Sequence, residues 1–324
     1  MIKNKILLIS CITIFLFYFA GCENNKDIKK VDLNKREEIK VSSDDSSVIK
    51  IGLIPEQDIR KMSERYKPLA EYLGKKLNLR VILVYLDNYG EVCDKFINKQ
   101  LDAAFFGSFS YALTHAKAKV EPLVRPEYQG TSTYRGLIIV RKDSHIRNIE
   151  DMKGKRLVLV HRATYAGYLY PLVYFRQHGV NNLEGYFSSV IFAGSHDKAI
   201  FAVLRGEADV AISKDLVYKR IIRENPDLEK KLMILYASGS VPSNALCVSK
   251  DFDSLLRDKI KNILLNLDKD KDAGSVLEAL GGASRFIKTD DADYRYLYET
   301  IKALGIDLKA YPYFERADIG FKAN

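Results

Sequence analysis

Little in this chain is arranged for catalysis. Its 324 residues include five histidines, at 115, 145, 161, 178 and 196, and no two of them share a helix at zinc-binding spacing. No activated nucleophile and no carboxylate pair stands out. We therefore read the chain as a non-enzyme without metal or cofactor. Cysteine is scarce as well. Of four, Cys11 lies in the leader and Cys22 follows it, leaving Cys93 and Cys247 in the body. These two fall on separate elements without metal-ligand spacing, which favours buried thiols, with one disulfide as the alternative. Lys and Arg total 51 against 42 acids, a net charge of +9 of which Lys3 and Lys5 supply two. The lysines are scattered and no basic stripe carries interleaved aromatics, so a solvated surface is expected rather than a nucleic-acid face. The leading apolar run, "ILLISCITIFLFYFA" at 6–20, has 15 residues, short of the roughly 20 that span a bilayer.

That run follows the basic "MIKNK" and fits a secretory signal over 1–21. It ends in "FAGC", which resembles a bacterial lipobox. The resemblance makes Cys22 the lipidated residue and the acyl chains its hold on the membrane. Residues 22–47 are polar, charged and aperiodic, and read as a flexible tether.

From "VIKIGLIP" (48–55) onward, strand and helix patterns take turns, and the tail beyond 250 reads as helical. The alternation predicts an α/β fold of two lobes, each a mainly parallel sheet flanked by helices. Residues 48–137 and 241–324 form lobe 1 and 138–240 form lobe 2. Two segments look like crossings between lobes, near 134–140 and 236–243. In open α/β sheets ligands bind beyond the carboxyl ends of strands. Four such junctions combine small residues with hydroxyls: "FFGSFS" (105–110), "HRATYAGY" (161–168), "FAGSHDKA" (192–199) and "AISKDLV" (211–217). A helix start leaves amide hydrogens without intrahelical acceptors and carries partial positive charge, so an anion docks well there. Gly107, Ser108, Thr164, Ala166 and His196 are candidates on this ground. Any one hydroxyl alone reads more readily as an N-cap, and Asp215 alone reads as a cap; four junctions in succession favour a ligand.

"VIFAGSHDKAIFAVLRGEADVAISKD" (190–215) closely resembles the matching segment of phosphonate-type (PhnD-like) substrate-binding proteins of ABC importers. So do "IGLIP" (51–55), "LDAAFFGSFSYAL" (101–113), "YRGLIIVRKDSHIRNIEDMKGKRL" (134–157) and "AGYLYP" (166–171), in order along the chain. The resemblance implies a type II periplasmic-binding-protein fold with two crossover hinge segments. It also implies a monomer on the outer side of a bacterial membrane, an ABC permease as partner and a small anionic ligand held by hinge closure. It implies that Thr164, Tyr165 and Ala166 stand where the family has a Ser-Thr-Ser turn, with the first hydroxyl kept and two lost. Phe106 stands for the family's strand-end aromatic, Tyr89 for its pocket tyrosine and His196 for its ligand histidine. Asp215 stands for one pocket acid, and a second position reads Ser243. Two lost hydroxyl donors would cost an anion about 1–3 kcal/mol each unless replaced. Tyr165, Arg162 or Arg135 could replace them, or the ligand could be larger and less charged. A sensing lipoprotein that reports to a signalling partner, or one that takes a non-phosphorus ligand, is the alternative function.

Overall fold

In "VIKIGL" every second residue is apolar, which makes a strand with one side buried, and the structure forms it as β1 (Val48–Leu53). A computed structural model describes residues 48–313. The expected signal, the lipid on Cys22 and the tether up to 47 lie outside the described residues. The chain continues with α1 (Ile59–Leu77), β2 (Arg80–Tyr85), α2 (Glu91–Ile97), β3 (Ala103–Phe106), α3 (Ser108–Ala118) and β4 (Val120–Glu127). The short β5 (Thr133–Tyr134) leads to β6 (Gly136–Arg141), β7 (Arg156–Leu159), α4 (Tyr170–Gln177), α5 (Leu183–Tyr186) and β8 (Ser189–Phe192). Next come α6 (His196–Leu204), β9 (Val210–Lys214), α7 (Asp215–Glu224) and β10 (Leu232–Ala237). The last elements are β11 (Val241–Pro242), β12 (Ala245–Ser249), α8 (Ser254–Leu265), α9 (Gly274–Ala279), β13 (Arg285–Lys288) and α10 (Arg295–Ala303).

These strands make two main sheets, in the orders β13-β4-β12-β3-β1-β2 and β10-β6-β9-β7-β8. The fold is the expected two-lobed α/β architecture, but the sheets are mixed rather than mainly parallel. β2, β1 and β3 run parallel, as do β9, β7 and β8, where helical crossovers join the strands. The remaining pairs are antiparallel. In each sheet the antiparallel half holds the strands that leave for the other sheet or return from it. The chain passes from β4 to β6 and comes back from β10 to β12. The two passing segments pair as the β5–β11 ribbon, Tyr134 opposite Val241. The tail is also not wholly helical: β13 closes one edge of the first sheet against β4.

Side-chain spacing decides what each helix covers. Asp58 caps α1 by accepting from the Arg60 amide at 2.9 Å. Met62, Tyr66, Leu69, Leu73 and Leu77 then fall on one buried stripe. With Ile260, Leu264 and Val276 of α8 and α9 they cover one face of the first sheet. A second apolar cluster runs from Phe106, Phe109 and Tyr111 through Tyr134 into the second lobe, where Ile138, Leu157 and Ile212 belong to it. The lobes thus share apolar packing at the crossover. Cys93 and Cys247 are both buried, free thiols.

Candidate functional site

The two lobes bring strand ends together. Ile54 and Glu56 follow β1, Gly107 follows β3, and Lys214 ends β9. With Tyr89, Tyr134, Ala163, Thr164, Tyr165, Ala166, His196 and Asn244 they line one cavity between the lobes. It is narrow: about 10 Å³ is open to the centre of a water molecule, the room of about one water. Two hydrogen bonds cross between the lobes beside it. The His196 amide donates to the Glu56 carbonyl at 3.3 Å, and the Asp58 amide donates to Asp197 at 3.2 Å.

The junction "HRATYAGY" forms a specific turn. β7 ends at Leu159, and the chain re-enters helix through one π-helical turn, Tyr165–Leu169, ahead of α4. Gly167 is required by packing. A Cβ there would lie 2.4 Å from the Val160 Cβ and 2.7 Å from the Thr164 Oγ1. The glycine carbonyl accepts from the Val160 amide at 3.2 Å, which folds the turn back on the strand. Thr164, Tyr165 and Ala166 are all buried and face the cavity. The Thr164 hydroxyl, expected to serve the ligand, instead donates to the His161 carbonyl at 2.6 Å. What the turn offers inward is the first-turn amides, which have no carbonyl behind them.

Two other groups point at the cavity without partners. The Tyr89 hydroxyl and the His196 Nδ1 are buried and make no hydrogen bond, and their rings stand edge to face at 6.1 Å. Burial holds the His196 pKa down to about 3, against the pull of Glu56 and with help from Lys214 and Arg220, so the ring is neutral. Burial also pushes the Tyr89 phenol well above its usual range, with Glu56 and Asp197 adding to it, so it keeps its proton. A neutral phenol donates one hydrogen bond, and a neutral imidazole nitrogen donates or accepts by tautomer.

Two of the lining residues, Glu56 and Lys214, are charged, and two arginines stand behind them. Lys214 Nζ donates to Glu56 Oε1 at 2.6 Å and to Asn244 Oδ1 at 2.8 Å, and lies 4.2 Å from the centre of the Tyr134 ring. Glu56 also faces Arg65 at 3.3 Å and Arg220 at 3.7 Å. All four charged residues are buried. Burial works to raise the Glu56 pKa, yet Lys214, Arg65 and Arg220 together hold it far below the carboxylate range. Burial pulls the Lys214 pKa down while the adjacent carboxylate opposes this; at 2.6 Å the pair is ionic. One carboxylate therefore stands among three cations, a surplus of two positive charges.

Of the residues expected from the sequence, Tyr89, Gly107, Thr164, Tyr165, Ala166 and His196 are brought together in this cavity. Phe106, Ser108 and Asp215 stand outside its lining. Phe106 is fully buried, its ring 5.5 Å from that of Phe96. The Ser108 hydroxyl donates to the Pro242 carbonyl at 2.8 Å, and its amide is engaged by the Tyr134 hydroxyl at 3.4 Å. Asp215 accepts from the Arg135 amide at 3.0 Å and so pins the crossover segment. Arg162 is also elsewhere, stacked over the rings of Tyr168 and Phe192. Glu56, Tyr134, Lys214 and Asn244 were missed. The strand-end rule that picked out the four junctions applies equally to β1, and at the β9 junction it was read onto the acid rather than the lysine. In "AISKD" it is Lys214, one residue before the acid, that the strand turns inward.

A two-lobed α/β molecule with two crossovers and a cavity built from strand ends of both lobes has the type II periplasmic-binding-protein fold. Residues 51–294 match the family model for the ABC transporter, phosphonate, periplasmic substrate-binding protein, and the chain belongs to that family. It is similar to the phosphate-import protein PhnD of Mycolicibacterium smegmatis, 27% identical over 66% of this chain and 70% of that one. It is also similar to the probable ABC transporter phosphite binding protein PhnD1 of Prochlorococcus marinus, 24% identical over 78% of this chain and 88% of the relative. The structure of the latter species' PhnD1 in complex with methylphosphonate aligns with a TM-score of 0.72 at 24% identity, over 80% of this chain and 98% of that one. No helix among the described residues is long and apolar enough to cross a membrane.

Proposed function

We propose that the chain captures a small oxyanion of the phosphonate, phosphate or phosphite type between its lobes and presents it to an ABC permease. Lipid on Cys22 would hold it, as a monomer, at the outer face of the membrane. The observation that carries this reading is the pair of buried groups without partners, the Tyr89 hydroxyl and the His196 Nδ1, on residues that line the cavity together with the Lys214–Glu56 pair. Each unsatisfied buried group costs about 1–3 kcal/mol, and oxyanion atoms accepting from them and from the amides of 165–167 recover that cost. The relatives that bind phosphate, phosphite or phosphonates support the same class of ligand.

Residues 48–137 with 241–324, and residues 138–240, would move as two bodies about the β5–β11 ribbon. A guest touching both lobes favours the closed form by the difference in its affinity for the two forms. Isothermal titration of the purified chain with phosphate, phosphite, methylphosphonate and sulfate tests the reading. Saturable one-to-one binding of at least one phosphorus oxyanion, lost in His196→Ala, is expected. Absence of binding across the panel would overturn it.

A further inference from the structure

We propose that Lys214 sets the ligand class: it is the charged contact for the oxyanion, and it bars guests that carry an ammonium group. The proposal rests on the oxyanion reading above. The Lys214 ammonium has three hydrogens. Two are committed to Glu56 and Asn244, and the ammonium otherwise meets only the face of the Tyr134 ring at 4.2 Å, a weaker contact than a charged oxygen offers, on a residue that lines the same cavity. An anion there meets a buried positive charge that no solvent screens.

A zwitterionic guest would need a carboxylate for its ammonium, and the wall has none to give. Glu56 is the acid that lines the cavity, and three cations already share it. Asp197 and Asp215 lie nearby but outside the lining. Asp197 accepts from the Ser195 hydroxyl and from the Asp58 and Lys198 amides. Asp215 accepts from the Arg135 amide and from Lys219. In aminomethylphosphonate one carbon separates nitrogen from phosphorus, so a guest whose oxyanion touches Lys214 would hold its own ammonium within a few ångströms of it, and like charges that close in a buried setting repel strongly. The site is thereby fitted to phosphorus oxyanions with uncharged substituents.

A matched pair of ligands tests this, because ethylphosphonate and aminomethylphosphonate have the same number of heavy atoms and differ in charge. At pH 7.5, titration of the full chain should show aminomethylphosphonate binding at least about a hundredfold more weakly than ethylphosphonate. In Lys214→Met the gap should shrink below about tenfold, while affinity for methylphosphonate falls. Equal affinities in the wild type would overturn the proposal without recourse to any variant. An undiminished gap in a folded Lys214→Met protein would also overturn it, by placing the discrimination elsewhere. If no phosphorus oxyanion binds at all, the failure belongs to the oxyanion reading itself.

Discussion

Replacing Glu56 with Gln keeps the side chain's shape and removes the negative charge around which three cations are gathered. Lys214 lies 2.6 Å from that carboxylate, Arg65 3.3 Å and Arg220 3.7 Å. Exposed pairs such as Lys230–Asp227, with side chains 82% and 86% accessible, contribute about 0–1 kcal/mol. The Lys214 and Glu56 side chains are 4% and 2% accessible, so the buried case applies. Removing one partner of a buried pair costs about 3–5 kcal/mol. At about 2–4 °C per kcal/mol for a chain of this size, the Tm should fall on the order of 10 °C. Urea denaturation followed by far-UV circular dichroism gives the loss directly. Adding Lys214→Met to Glu56→Gln should recover part of it, because one stranded charge goes with the lysine. Saturating methylphosphonate should raise the Tm of Glu56→Gln at least as much as that of the wild type, since the guest brings negative charge to Lys214, the cation that lines the cavity. A loss under about 1 kcal/mol would refute the reasoning, for it would mean that these cations are solvated or uncharged.

Acid should destabilise the fold through His196. Its pKa is about 3 when folded against 6.5 for a free histidine, so the unfolded chain binds a proton that the folded chain refuses between those values. The stability it supports is fully present above pH 6.5 and is lost as pH falls toward 3, by about 2 kcal/mol at pH 5. His196→Asn should flatten that part of the stability–pH curve, and an unchanged slope would contradict the burial. Gly167→Ala should cost about 1–3 kcal/mol in urea denaturation, because the new methyl meets the Val160 side chain; a neutral result would mean that the π-helical turn is looser than described. Burial raises the pKa of both Cys93 and Cys247, so native protein should react with Ellman's reagent far more slowly than protein in urea. Cys22→Ser should move the protein from the membrane fraction to the soluble one, and retention in the membrane would remove the lipid anchor from the account.

The α/β alternation was legible because burial leaves a period in the sequence. "VIKIGL" and "RLVLV" announce strands whatever they pair with. Strand direction leaves no such trace, so the antiparallel halves of both sheets were unreadable and a mainly parallel arrangement was expected. β13 escaped because "RFIK" is only four residues long, alternates weakly and sits among helical patterns. At the site, small residues before helices marked Gly107 and the 164–167 turn, since close approach demands small side chains. The charged wall was hidden by the usual rule that charges face solvent. Glu56 follows a proline in a polar stretch and Lys214 precedes an acid, and both look like surface residues until the two lobes bring them against each other. The Thr164 hydroxyl was assigned to the ligand on residue type, but the His161 carbonyl three residues earlier lies within its reach and takes it.

The most direct test is a crystal structure of the chain grown with methylphosphonate. The phosphonate oxygens should lie about 2.7–3.2 Å from the Tyr89 hydroxyl, the His196 Nδ1 and the Lys214 Nζ, with the amides of 165–167 behind them. Methylphosphonate bound anywhere else, with the Glu56–Lys214 pair and the space around it unchanged, would contradict the account.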